Sequence, residues 1–480
     1  SPYFNGYYDY LISAHPDMQF QAIIETNRGC PFLCTFCYWG KGGLSRKYRY
    51  FGIERIREEF EWFGQNKIDF IYNADSNFGM HRRDEELAEI FVSTKQRYNY
   101  PDKIINLYGK NTDDRIFNIV EKLYADDMHK GVGLSRQTMA PDALEATKRA
   151  NIKLETYDAL QKKFDAANIP TFCELLIALP GETYDSFVSG LDLLLETAPN
   201  SQLMLLMTEV YLNTEMGEAG YQEKHGMVVK RNVAVGNHSA YRENAEVTEF
   251  IDYIIGTETM PTADWRRTGI IAWATMTLTG LRVGSYLTQY LGRRYGIRAM
   301  EFIQYIVEDQ ARIENMPLWK HELECYGAFM DQIANGEGRG LKMSEYGGIY
   351  WSVEETSFLR ITENREAFFA EMLELMKSFL SSRSEDFDEE ELSEVVRYQM
   401  LRVPTQKKQD EIKHQFNYGI PEYIEKLQNG ERSKPERRPV EMRVIKHDYY
   451  EEKERFAKER VLWARRGGEM DQAVEWSYLD

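Results

Sequence analysis

Three cysteines, Cys30, Cys34 and Cys37, stand within eight residues of one another in the stretch ETNRGCPFLCTFCYWG, Glu25–Gly40. Thiolates are the usual ligands of iron–sulfur clusters. A cubane has four irons, so Cys-x3-Cys-x2-Cys holds three and leaves the fourth open to a small molecule. Zinc is the rival reading, but a structural zinc site takes four protein ligands. The other two cysteines, Cys173 and Cys325, lie far away in apolar or helical contexts, and no Cys/His pair stands near the loop. The bland reading is three core cysteines that happen to share a segment.

The elements that must position this loop follow a regular alternation. Ala22–Thr26, Asp69–Ala74, Ile104–Tyr108, Gly131–Ser135, Thr171–Leu179 and Gln202–Tyr211 read as strands. Helical spacing of apolar residues fills the gaps, as with Ile53, Ile56, Phe60 and Phe63. Six strand–helix units in a row predict a parallel sheet with helical crossovers. Doubly wound and barrel forms share that pattern. After about residue 235 the alternation stops, and Glu246–Gly256, Ala263–Leu278, Ala299–Glu314, Asn364–Leu380 and Glu389–Leu401 read as helices. Residues 401–480 read as a charged helical tail.

The chain has 480 residues and a formal net charge of -18. Such a balance argues against a general nucleic-acid or anionic-membrane binder. Five cysteines make no disulfide framework, and no apolar stretch is long enough to span a bilayer. A cytoplasmic location is expected.

The cysteine loop, with Phe36 as the aromatic before the third cysteine, resembles the radical S-adenosylmethionine (radical SAM) superfamily. The resemblance implies a partial (β/α)6 TIM-like barrel over residues 21–235, followed by a mainly helical C-terminal region over 236–400. It implies a 4Fe–4S cluster on Cys30, Cys34 and Cys37, whose open iron takes the amino and carboxylate groups of SAM. It also implies an electron donor such as flavodoxin or ferredoxin. Phe36 and Tyr38 flank the last cysteine. Asp75 and Asn77 end the second strand, where the superfamily meets the SAM amino group; capping a turn is the plainer role. Lys110 follows the third strand. Ser135 and Gln137 end the fourth, where polar side chains meet ribose or methionine. Ile177 and Leu179 read as core, with backbone contact to adenine implied by the resemblance alone. Lys148 and Arg149 read as an exposed helix face or as neighbours of the SAM carboxylate. No catalytic side chain is nominated.

A narrower resemblance, to the radical SAM subgroup with an upstream cobalamin-binding domain, is carried by Glu25–Gly40, Asp75–Gly79, Leu144–Ile152, Glu174–Thr183, Tyr211–Met216 and Ile254–Trp265. It implies methyl transfer to an unactivated carbon of a small molecule, sugar or peptide. Cyclase, epimerase or oxidoreductase chemistry is the alternative, and an inactive cluster-bearing scaffold the outsider. The cobalamin module itself is absent. Residues 1–20 resemble the linker after it, so cobalamin is expected from a missing domain or a partner, if it is used. Trp265, Trp273, Trp319, Tyr350 and Trp351 are candidates for a stacking wall around substrate, with core packing the plainer role.

Overall fold

The computed structural model describes residues 1–41, 47–109, 114–129, 131–241, 247–407, 412–428, 431, 433–445, 452–463 and 470–479. Lys110 lies outside these. The chain forms two compact units. The first comprises residues 1–137, 144–174 and 210–224, and the second 138–143, 175–209 and 225–480. The division therefore does not fall at the expected 235/236 boundary. It cuts the fifth strand between Glu174 and Leu175.

In the first unit, β1 (Gln21–Ile24), β2 (Phe70–Phe78) and β3 (Lys103–Tyr108) form a parallel sheet in that order. Helices Ile53–Gln65, Arg83–Tyr98 and Asp114–Ala125 follow the three strands. Their stripes meet the sheet: Ile56, Phe60, Phe63, Leu87, Phe91 and Ile119 join Ala22, Ile24, Ile71 and Ile104 in one core. Burial of this surface drives the packing, at roughly 25 cal/mol per Å² of apolar area. Next come β4 (Val132–Gly133) and β5 (Thr171–Ile177), which pair in parallel, with Val132 opposite Thr171. In the second unit β6 (Gln202–Met207) continues this second sheet beside β5. The six strands thus succeed one another in chain order, each crossover carrying a helix, as the sequence predicts.

Residues 1–20 are more than a linker. They carry helix Tyr7–Ala14, and the Tyr3 hydroxyl donates to the Ile23 carbonyl at 2.6 Å. The Tyr3 ring also packs edge-on against Phe63 at 4.8 Å between centroids, so this segment seals the edge of β1.

The second unit is mainly helical, with the expected helices at Thr262–Thr275, Ala299–Glu308, Arg365–Ser382 and Glu389–Arg402. Two expectations are corrected. Phe250–Gly256 is a strand, paired antiparallel with Val228–Val233; its β-branched and aromatic residues (FIDYIIG) favour a pleated surface over a helix. The last eighty residues are not a helical tail. Lys413–Phe416, Val440–Val444 and Val474–Tyr478 form an antiparallel sheet around a central Val440–Val444. Val440, Met442 and Val444 are buried while Glu441 and Arg443 alternate outward. That period-two signal is hidden among charges. Among the described residues, no helix is long and apolar enough to cross a membrane.

Candidate functional site

The end of β2 is wired to the cysteine loop. Asp75 is buried, and its carboxylate accepts from the Thr26 N–H at 2.7 Å and from the Asn27 N–H at 3.0 Å. It also accepts from the Asn27 side-chain amide at 2.8 Å and from the Thr26 hydroxyl. The Ser76 hydroxyl donates to the Gly29 carbonyl at 2.7 Å. Asn77 donates through Nδ2 to Sγ of Cys30 at 3.2 Å. Gly29 has φ 110, a left-handed conformation that favours glycine, and it turns the chain so that Cys30 follows at once.

The second half of the loop has its own anchors. The Thr35 N–H donates to Thr147 O at 3.0 Å, and Met216 N–H donates to Thr35 O at 2.9 Å. Tyr221 donates to Ala146 O at 2.9 Å and meets the Thr35 hydroxyl at 3.1 Å. Cys30 and Cys34 are buried, Cys37 is half-buried, and none of the three is joined in a disulfide. Phe36 is half-buried and Tyr38 exposed.

Arg149 is buried, at 6 % exposure, against the expectation of an exposed helix face. Its guanidinium donates to Ser135 O at 2.7 Å, Arg136 O at 3.1 Å and the Asn151 side chain at 2.8 Å. Burial pushes its pKa down, and the nearby Cys34, hydrogen-bonded to it, works in the opposite direction. Neighbouring Lys148 is half-exposed and pairs with Glu215 at 2.6 Å.

At the end of β4, Ser135 Oγ donates to Glu174 Oε2 at 2.8 Å. Gln137 Nε2 reaches the same oxygen at 3.4 Å. The backbone closes the cluster, Gln137 N–H donating to Glu174 O at 2.8 Å, and Gln137 takes φ 66. A non-glycine residue held there carries a strain of order 1–3 kcal/mol, of the kind found at functional sites.

Several predicted roles change. Asp75 is no free acceptor for an ammonium, because both oxygens are taken by Thr26 and Asn27; it anchors the loop. Burial raises its pKa to about 6 against the pull of those hydrogen bonds. Trp265, Trp273, Trp319 and Trp351 are all buried, so they pack the helical unit and do not form a stacking wall. Ile177 and Leu179 belong to the second unit and are fully buried. Ile177 O accepts from the Thr208 hydroxyl at 2.6 Å. Glu174 is the candidate residue left unassigned from the sequence, whereas Arg149 has two roles there, an exposed helix face or a neighbour of the SAM carboxylate. A lone carboxylate in the apolar run TFCELLIALPG was the available signal for Glu174.

The residues fit an iron–sulfur cluster by their donors: three thiols on one loop, an amide N–H on the first and a buried guanidinium beside the second. Among the described residues no three His, Cys, Asp or Glu side chains are spaced to hold a single metal ion. A tetrahedral zinc with Zn–S of about 2.3 Å gathers its thiolates around one point. A cubane spreads them over separate irons.

Residues 24–194, a stretch of mixed α/β structure, match the model of the Radical SAM superfamily. The chain is 29% identical over 424 residues to 2-(S-pantetheinyl)-carbapenam-3-carboxylate methyltransferase of Streptantibioticus cattleyicolor. It is 28% identical over 420 residues to the cobalamin-dependent radical SAM methyltransferase TokK of Streptomyces tokunonensis. Each alignment covers 84% of this chain and 61% of the relative. The chain thus spans about three fifths of the length of these curated relatives. Among solved structures, the methyltransferase TsrM of Kitasatospora setae aligns with TM-score 0.40 and 17% identity, over 53% of this chain and 52% of that one.

Proposed function

We propose that this chain is a radical SAM enzyme that cleaves SAM reductively at a 4Fe–4S cluster held by Cys30, Cys34 and Cys37. We further propose that it acts as a cobalamin-dependent methyltransferase on an unactivated carbon of a small molecule, sugar or peptide. The observation that carries the first half is the wiring of a three-thiol loop to the end of β2, inside the stretch that matches the Radical SAM superfamily. The names of the two curated relatives support the second half, with cobalamin brought by a further domain or a partner.

When bound, the cluster supplies the electron that breaks a carbon–sulfur bond of SAM. The chain's own residues do the positioning. Asp75 and Ser76 fix the approach to Cys30. Arg149 supplies a buried positive charge that suits the thiolates and the SAM carboxylate. Glu174, oriented by Ser135 and Gln137, offers acceptors to the SAM ammonium or ribose hydroxyls. Packing around the loop keeps water from a reactive radical.

The test is anaerobic turnover with SAM, added methylcobalamin and a low-potential reductant, read by mass spectrometry. The expected outcome is 5′-deoxyadenosine, which carries off the abstracted hydrogen, together with a methylated substrate heavier by one CH2 unit. The Cys30→Ala, Cys34→Ala, Cys37→Ala triple variant should lose both iron and nucleoside. Full iron content in that variant rules out the cluster assignment. Nucleoside without methyl transfer rules out the methyltransferase half alone.

A further inference from the structure

Asn77 donates to Cys30 Sγ at 3.2 Å; its carbonyl accepts from the Met80 N–H at 3.4 Å, and Met80 Sδ in turn accepts from the Tyr48 hydroxyl at 3.3 Å. The Tyr48 ring meets His81 edge-on, with centroids 4.2 Å apart. His81 Nδ1 lies 3.2 Å from the Tyr50 hydroxyl, and Tyr50 is 49% exposed. A continuous line of contacts therefore runs from the first cysteine to solvent through Asn77, Met80, Tyr48, His81 and Tyr50, all within the first unit.

The rim of this line is basic in a chain whose net charge is -18. Arg83 sits over the Tyr50 ring at 5.1 Å. Arg28 and Arg49 are directly opposed across the short ladder Asn27–Arg28 with Arg49–Tyr50. Like charges so placed are destabilising by themselves. Phe51 carries Arg55 at 4.2 Å and Arg28 at 5.5 Å, and Lys47 is exposed two residues before Arg49. Glu25 answers Arg28 and Glu59 answers Arg55. Asp84 is buried and engaged by the N–H groups of Gly79 and His81. Arg49 lies exposed at the outer end of the ladder.

We propose that the Tyr50 patch, rimmed by Arg49 and Arg83, is the docking surface for an acidic flavodoxin-type electron carrier, and that its electron enters along Tyr50, His81 and Tyr48. The inference rests on the radical SAM reading above. Opposite charge steers such a partner and sets its register, and an exposed aromatic ring suits the edge of a flavin. The step balances as a one-electron transfer: the flavin hydroquinone becomes a semiquinone while the oxidised cluster takes up one electron. No bond forms or breaks.

The experiment uses iron-loaded protein and a purified bacterial flavodoxin. Binding is measured by biolayer interferometry at two salt concentrations. Reduction is followed by stopped-flow absorbance, with flavodoxin hydroquinone or with dithionite. In Arg49→Glu and in Arg49→Glu/Arg83→Glu, flavodoxin affinity should fall about tenfold or more and lose much of its salt dependence. Reduction by sub-saturating flavodoxin should slow in parallel, while iron content and dithionite reduction stay at wild-type levels. Unchanged affinity and rate in both variants overturn the proposal. So does wild-type protein that takes up a ferredoxin but no flavodoxin. A wild-type chromophore that dithionite cannot reduce counts against the radical SAM reading instead, and the flavodoxin affinities of the variants still decide the docking surface.

Discussion

Asn77 Nδ2 and Cys30 Sγ are 3.2 Å apart, so the last turn of β2 is hydrogen-bonded to the first thiol of the loop. Hydrogen bonds to cluster sulfurs tune reduction potential. Asn77→Ala should therefore keep its iron but shift the cluster to a lower potential. One neutral hydrogen bond of about 1 kcal/mol corresponds to a shift on the order of 50 mV for one electron. A spectroelectrochemical titration of both proteins reads it, and identical midpoints would show that the bond has no electronic role.

Asp75 gathers four donors from Thr26 and Asn27. Asp75→Ala leaves those buried donors unpaired, each at roughly 1–3 kcal/mol. Iron uptake should drop sharply, because the segment entering Cys30 loses its anchor. Asp75→Asn should retain part of it. Iron per chain after anaerobic reconstitution is the measurement, and full loading of Asp75→Ala would assign the anchoring elsewhere.

Glu174 holds Ser135 and Gln137 through one oxygen. If this carboxylate meets SAM, Glu174→Gln should weaken SAM affinity about ten- to a hundredfold with iron content unchanged. Gln137→Ala and Ser135→Ala should each weaken it less. Equilibrium dialysis with labelled SAM checks this. Wild-type affinity in all three variants would make the end of β4 purely structural.

Glu182 is buried, with Thr138 donating to one oxygen at 3.0 Å and the other oxygen unpaired. Burial pushes its pKa up to about 8 from 4.5. The folded state thus binds the extra proton between these values, and stability is lost as pH rises through that window. The slope is on the order of 1.4 kcal/mol per pH unit. Glu182→Gln removes it. Denaturant unfolding at pH 5 and pH 9 should show wild type losing stability relative to Glu182→Gln, and parallel curves would contradict the buried acid.

Much of the fold was legible along the chain. Each expected strand and crossover helix from 21 to 207 appears, because parallel strands and their helices write period-specific apolar patterns locally. The C-terminal sheet was missed for the converse reason: in Val440–Val444 only three of five residues turn inward, among charges that read as helix surface. Phe250–Gly256 was misread because a short apolar run suits either element, and its partner Val228–Val233 decided the matter.

The sequence by itself determined the chemistry on offer: three thiols at fixed spacing on a loop after a strand, and the identity of the strand ends that meet them. Spacing along a chain encodes which side chains share a loop. The tertiary structure alone decided what each polar group does. Asp75 turned from ligand contact to anchor because Thr26 and Asn27, some fifty residues earlier, take its lone pairs. Arg149 is buried rather than an exposed helix face because the Ser135 and Arg136 carbonyls and the Asn151 side chain hold its guanidinium inside. Hydrogen-bond partners distant in sequence leave no local pattern, and burial of a charge is a property of its surroundings in space.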